Sequence, residues 1–346
     1  MTTDDPEAAG PPTPTSATLS SDTLTEDAVP ASARPRATAG PKARKRRKAS
    51  ALERRYARLG WLFASPALLV VAAVTIFPIV FSVVMSLSNV NVTADGFQLS
   101  GFTGSNFSLV VGSARWQHDL WFTVIYTVGT VAVEMVLGTA IALVLERLKV
   151  GRGWLMALLL LPWAMITVVS AELWSYLYNG VYGLVDQILA PIAGHDVNLL
   201  GTPVDATVAM GVADVWKTTP FVAIIVLAGL VMLPGDVVEA ARIDGANAWT
   251  IFWRVRLPLL RPTLAIAVMF RILQAFGLFD LPFVLTQGGP GTSTESLAML
   301  GWRVMFQDLK FGPGAAVATT TAAIVLVGCL LFLKVFRAQV GQEETV

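Results

Sequence analysis

Charge is what this sequence has least of. Only 14% of its 346 residues are Asp, Glu, Lys or Arg, while 54% are hydrophobic; soluble domains average about 25% charged. Scarcity on that scale, in long uncharged runs, excludes an ordinary water-soluble domain and points to an integral membrane protein. Cysteine is nearly absent: Cys329 stands alone in a late apolar run, so no intrachain disulfide forms and the thiol reads as buried and inert. Histidine occurs only at His118 and His195, both in expected outer loops. With so few ligating side chains and no clustered acids, the sequence argues against a metal centre, and it shows no catalytic constellation. It also lacks a Gly-x-x-x-x-Gly-Lys-Ser/Thr string: Lys217-Thr218 follows Asp214 and Trp216 inside an apolar run. The chain is therefore expected to bind no ATP itself, so energy must come from another polypeptide. No signal peptide is apparent, because the first apolar run begins near Leu59 and is too long for one.

What is present is segregated along the chain. The net charge of +1 says little, but its distribution is informative. Residues 1–33 are rich in Pro, Ala, Thr and Ser with scattered acids, the composition of a disordered tail. Residues 34–58 hold eleven Lys and Arg, including Lys42-Ala-Arg-Lys-Arg-Arg-Lys48. Such a run fits nucleic-acid or anionic-lipid binding, but a membrane span comes at once after it, so it reads as the positive-inside signal ahead of that span. Six apolar runs come next: Trp61–Leu87, Trp121–Leu145, Trp154–Tyr178, about 208–233, 264–285 and 315–336. Each has about 20 residues or more, enough to cross a ~30 Å core. Pro78 is expected to kink the first, and Pro162 lies inside the third. Lys and Arg alternate between rich and poor loops, as expected if both termini are cytoplasmic, and tryptophans mark several run ends, as an interfacial aromatic belt would. The expected architecture is an all-α membrane protein of six helices, with a tail over 1–58 and a transmembrane domain over 59–340.

One loop is unusual. Asp236–Pro262 lies between two apolar runs yet carries Asp236, Glu239, Arg242, Asp244, Arg254, Arg256 and Arg261. Charge at that density places it outside hydrocarbon. Asp236 is predicted to N-cap a short helix with Glu239 as its capping-box partner, and Val237, Ala240, Ala241 and Asp244 share a face. Gly245 is predicted to stop that helix. A second short helix should present Trp249, Phe252 and Trp253 and end before Pro258. Together these read as two amphipathic helices offered to a cytoplasmic partner.

Glu239-Ala240-Ala241, then Asp244-Gly245-Ala246, then Leu257-Pro258, resemble the EAA loop of ABC-importer permeases. Leu285-Thr-Gln-Gly-Gly-Pro290 resembles the outer Gly-Gly-Pro loop of maltose- and glycerol-phosphate-type permeases, in the subunit related to the first of their two. Gly104-Ser-Asn-Phe107 weakly resembles another outer segment of that family. The resemblance covers about residues 59–337. It implies a non-catalytic permease subunit in the bacterial plasma membrane, coupled through Glu239, Ala240, Ala241, Asp244 and Gly245 to a separate ATPase. The implied partners are a second related permease, two ATPase subunits, an external solute-binding protein and membrane lipid, with no nucleic acid. ATP and Mg would be bound by the ATPase, leaving this subunit without a cofactor. The implied cargo is a carbohydrate, a di- or oligosaccharide by family frequency; glycerol phosphate or another polar solute stays open. A membrane-embedded transferase would need paired carboxylates at the membrane surface, and none is convincing. An ion-coupled carrier would lack the EAA loop.

Ionisable residues inside apolar runs each cost ~2.5–3.5 kcal/mol at a helix centre and so need a partner or water. They are Glu134, Glu172, Asp214, Lys217, Arg271 and Asp280. Glu172 and Asp280 lie near run ends and reach water, and Glu134 reads as a structural hydrogen-bonding group. Asp214, Lys217 and Thr218 fall at i, i+3 and i+4 on one face, and Pro220 nearby frees a backbone carbonyl. Arg271 and Gln274 share a face of the next run. The family resemblance implies that these five residues line the substrate path. A purely structural Asp214–Lys217 or Asp214–Arg271 ion pair is the competing reading.

Overall fold

The computed structural model describes residues 51–93, 96–195 and 197–343. The expectations for residues 1–33, and for the basic segment up to residue 50, lie outside the described residues. Helix α1 (Ala51–Ser86) already includes the end of the 1–58 segment and runs on through Pro66 and Pro78. The chain divides into two units after Ala64, and the helical bundle with its cavities and ion clusters belongs to the second, Ser65–Val346.

Among the described residues, five helical stretches are long and apolar enough to cross a membrane: Leu59–Ser86, Ala114–Arg147, Pro203–Val231, Ala248–Phe276 and Phe311–Lys334. The sixth expected span is broken. Trp154–Tyr178 forms helix α4 (Arg152–Ala164) and helix α5 (Thr167–Leu177), which meet at 90°. Met165 and Ile166 between them are extended. Pro162 withdraws the N–H that would bond the Leu158 carbonyl, weakening the turn before the break.

The core of the bundle is the contact between α3 (Ala114–Arg147) and α7 (Pro203–Val231). Small residues set how close these helices come. A Cβ on Gly138 of α3 would lie 2.6 Å from Val222 of α7, and one on Gly229 of α7 would lie 2.6 Å from Thr263. Without a hydrophobic drive between helices in lipid, such close backbone packing is the main source of attraction. Thr263 belongs to α10 (Leu257–Phe276), the third wall of the core. Leu145, Val222, Val226 and Leu260 close one end of the core, and Tyr126, Met210 and Leu281 fill another cluster.

The segment after α1 is a two-stranded antiparallel hairpin, β1 (Ser88–Thr93) and β2 (Gly96–Phe102), with Val90 opposite Leu99. Helix α2 (Ser105–Val111) comes next. Asn106 is buried and its amide donates to the carbonyls of Ser86 (3.0 Å) and Ser88 (2.9 Å), tying α2 to the exit of α1. A Cβ on Gly312, in α13 (Phe311–Glu343), would lie 2.9 Å from that amide. The Gly-Ser-Asn-Phe segment therefore has a structural job here: its asparagine replaces hydrogen bonds that the end of a helix leaves unmade.

Candidate functional site

Four elements converge on a 230 Å³ cavity: the α4–α5 break, α7, α10 and α11 (Asp280–Leu285). The break contributes Trp163 and Thr167, α7 contributes Asp214, Lys217 and Thr218, and α10 contributes Arg271 and Gln274. Phe279 and Asp280 complete the wall. All five residues proposed for a pathway on sequence grounds thus line one space. Irregular backbone at membrane depth is tolerated where it lines a cavity. The irregularity sits at Met165–Ile166 and not at Pro220, which is buried within the continuous α7. The nearby Trp163 carbonyl lies 3.5 Å from Lys217 Nζ.

Of the two pairings expected from the sequence, Asp214–Arg271 is present, but as the weaker half of a larger cluster. Arg271 is 2% exposed and forms a bidentate pair with Glu134 of α3, which is fully buried. Its Nε donates to Glu134 Oε2, and its Nη2 donates to Oε1 at 2.7 Å. The Thr218 hydroxyl lies 2.6 Å from both Glu134 Oε1 and the Asp214 carbonyl. Asp214 is the secondary partner, with Oδ2 3.5 Å from Arg271 Nη2 and 3.5 Å from the Tyr126 hydroxyl. Arg271 Nη1 donates to Gln274 Oε1 at 3.0 Å. Glu134 was legible as a membrane-depth acid with a structural bond, but not as the main partner of Arg271, 137 positions away. Glu172 and Asp280 are exposed on this subunit, and Asp280 also borders the cavity.

The charged loop forms a second site. Its first helix, α8, spans Gly235–Ile243 and is capped by Pro234, with Asp236 inside the first turn. The predicted Asp236 cap is thus displaced by two positions, and the acid, now in the first turn, still meets the positive end of the helix dipole. The C-terminus matches the prediction. Gly245 has φ +83°, its N–H donates to Arg242 O at 3.0 Å, and Ala246 N–H donates to Ala241 O at 3.0 Å. That is a Schellman ending, which needs a residue tolerant of the left-handed conformation. Glu239, Ala240, Asp244 and Gly245 are exposed and Ala241 is half-buried, while Val238 anchors the helix inward.

The second helix, α9 (Ala248–Ile251), is capped by Asn247, whose Oδ1 accepts from Thr250 N–H at 2.8 Å. It does not end before Pro258. A π-turn over Phe252–Arg256 carries it directly into α10, and Pro258, which has no N–H to give the preceding turn, sits just after that irregular stretch. Arg256 donates to Glu146 at 2.7 Å, fastening this joint to the end of α3.

A third cluster, without a signal in the sequence, supports the Gly-Gly-Pro segment. Glu295 is fully buried. Arg115 grips it with Nε to Oε2 at 2.8 Å and Nη2 to Oε1 at 2.9 Å, and Arg303 Nη1 lies 3.1 Å from Oε1. Arg303 also donates to Gln287 O at 3.0 Å, and Thr294 donates to Gly289 O at 2.8 Å. Gln287, Gly288 and Gly291 all have positive φ, so this turn is held from outside by side chains.

Comparison with known proteins identifies the family. Residues 134–340 match the family described as the binding-protein-dependent transport system inner membrane component. The chain is 40% identical over 291 residues to the trehalose/maltose transport system permease protein MalF of Thermococcus litoralis, covering 83% of this chain and 97% of that one. It is 33% identical over 282 residues to the trehalose transport system permease protein SugA of Mycobacterium tuberculosis, covering 81% and 89%. Its fold matches a chain of a bacterial ABC transporter involved in the import of the acidic polysaccharide alginate, with a TM-score of 0.71 at 19% identity over 84% of this chain and 99% of that one. A helical chain with several apolar spans, a charged two-helix loop between two of them and a match over most of its length belongs to this family: it is a non-catalytic, multi-pass permease subunit of a binding-protein-dependent ABC importer.

Proposed function

We propose that this subunit forms half of the pathway for a di- or oligosaccharide, with the sugar passing the cavity of Asp214, Lys217, Thr218, Arg271 and Gln274. The observation that carries the reading is that these polar side chains, from two helices flanking the charged loop, meet aromatic Trp163 and Phe279 in one space. Sugar hydroxyls need directional donors and acceptors, and ring faces pack on aromatic side chains. At 230 Å³ the space is smaller than the ~300–1,000 Å³ usual for a ligand pocket, which fits a half-site completed by a second, related permease. The trehalose and maltose named for the relatives favour carbohydrate over glycerol phosphate.

Orientation comes from the loop charges, with both termini and the Glu239 loop on the cytoplasmic side. There, Glu239, Ala240, Ala241, Asp244 and Gly245 dock into one of two ATPase subunits, which hold ATP and Mg. Closure of the ATPases moves α8 and α9. The π-turn and the Arg256–Glu146 pair pass that motion to α10 and α3, which carry Arg271 and Glu134. The two permeases thereby rock between inward and outward access.

Lys217→Leu tests the pathway. Uptake in proteoliposomes containing the complete importer should fall at least tenfold, while complex yield and ATP hydrolysis stay within twofold of wild type. Wild-type uptake by this variant would remove the cavity from the pathway.

A further inference from the structure

We propose that Glu134 is the residue that makes this cavity admit uncharged sugars and reject acidic ones. The proposal rests on the sugar-pathway reading and adds a specificity-determining role to a residue that does not itself line the space. A guanidinium facing a cavity is ordinarily an anion receptor, because its planar fork matches carboxylate and phosphate. In Arg271 the Nε–Nη2 edge of that fork is already taken. Nε and Nη2 are held by the two oxygens of Glu134, and Nη1 by Gln274. Glu134 is fully buried and also contacts the Thr218 hydroxyl at 2.6 Å, so an incoming anion has no ready way to displace it.

The charge around the cavity points the same way. Glu134, Asp214 and Asp280 supply three carboxylates, while Arg271 and Lys217 supply two cations. By formal charge the excess is one negative charge, and it disfavours carboxylate, phosphate or sulfonate. An uncharged sugar meets no such barrier. Asp214 and Asp280 offer acceptors to its hydroxyls, and Lys217 offers a donor. Gln274 uses its carbonyl oxygen on Arg271, which leaves its amide N–H groups to donate. Glu134 thus turns an arginine-bearing site into one fitted to neutral hydroxyls.

Matched probes test this: radiolabelled trehalose and trehalose 6-phosphate, which differ by one phosphate. Binding to the complete permease–ATPase complex in nanodiscs is measured without the solute-binding protein, so that only the membrane site reports. Wild type should favour trehalose at least tenfold. Glu134→Gln keeps the shape and frees the Arg271 fork, so the preference should narrow at least tenfold or invert; Glu134→Asp should retain it. Asp280→Asn, at the exposed rim, removes the same excess charge without touching Arg271, and should narrow the preference by a smaller factor even if Glu134→Gln fails to assemble. An unchanged ratio in an assembled Glu134→Gln complex, or in Asp280→Asn where Glu134→Gln does not assemble, would overturn the proposal. Absence of trehalose binding by wild type is a different failure: it would sink the sugar-pathway reading, and this proposal with it.

Discussion

Two buried ion clusters hold this subunit together, and they are built in opposite proportions. Around Arg271, one guanidinium serves two carboxylates, Glu134 and Asp214. Around Glu295, one carboxylate serves two guanidiniums, Arg115 and Arg303. Exposure differs as well. Arg271 is 2% exposed, whereas the side chains of Arg115 and Arg303 are 39% and 20% exposed. In the Arg271 cluster one buried guanidinium meets both carboxylates, with Lys217 in the same cavity wall but bonded to neither, so its charge balance rests chiefly on that side chain. The Glu295 cluster has a spare cation, and both of its arginines reach solvent. The first is arranged to fix the charge beside a cavity, the second to hold a turn of unusual backbone in place.

That contrast predicts unequal costs. Arg271→Leu strands two buried carboxylates at membrane depth and should destabilise the subunit by ~3–5 kcal/mol, the usual cost of breaking a buried pair. The readout is a large drop in melting temperature of the purified complex, or failure to assemble. Replacing both partners, Glu134→Leu with Arg271→Leu, should recover most of that stability, because no bidentate partner is left uncompensated. Recovery of the fold without recovery of uptake separates the two roles of the cluster. A single Arg271→Leu subunit as stable as wild type would mean that water reaches these carboxylates and that the cluster is not a closed one.

Glu295→Gln is the matched perturbation at the other cluster. Its two arginines can turn to water, and glutamine keeps one acceptor, so the cost should be ~1–3 kcal/mol, that of a disrupted buried hydrogen bond. The Gly-Gly-Pro turn should loosen first, seen as faster amide exchange at Gly288 and Gly289 with little change in α7. A cost equal to that of Arg271→Leu would show that burial alone, rather than the number of counterions, sets the penalty.

The same contrast explains what the sequence could reveal. The charged loop was legible because its helix, its glycine stop and its Glu239-Ala-Ala run are contiguous, and local rules decide them. Asp214, Lys217 and Arg271 stood out because charge inside an apolar run is costly wherever it occurs. Their wiring was not legible: nothing in spacing pairs Arg271 with Glu134 across 137 positions, and only the α3–α7–α10 packing brings them together. Glu295 gave no signal, since one acid in a polar loop is ordinary until the fold buries it. The α4–α5 break was hidden because hydropathy measures composition and not continuity; the marker was Pro162. The hairpin had a usable signal in Ser88-Asn-Val-Asn-Val-Thr93, whose polar and β-branched residues alternate as in a strand.

The smallest expected effect completes the comparison. Arg115→Gln removes the bidentate half of the Glu295 cluster, which by geometry alone is its stronger contact at 2.8 and 2.9 Å. If hydrogen-bond count decided the outcome, this change would cost more than the loss of Arg303, whose contact with Glu295 is a single one at 3.1 Å. The charge argument gives the reverse order. Arg115 is the more exposed partner, so its pairing is partly screened, and after its removal Arg303 still neutralises Glu295 from close range. The cost should be ~1 kcal/mol or less, within the range of solvent-facing pairs. Arg303→Gln also removes the bond to Gln287 O, which restrains a residue at φ 52°, and should cost more than Arg115→Gln. Melting temperatures of the two variants in the intact complex decide between the arguments. A larger drop for Arg115→Gln would mean that the Glu295 cluster, like the one around Arg271, depends on a single guanidinium, and the distinction between the two would fall.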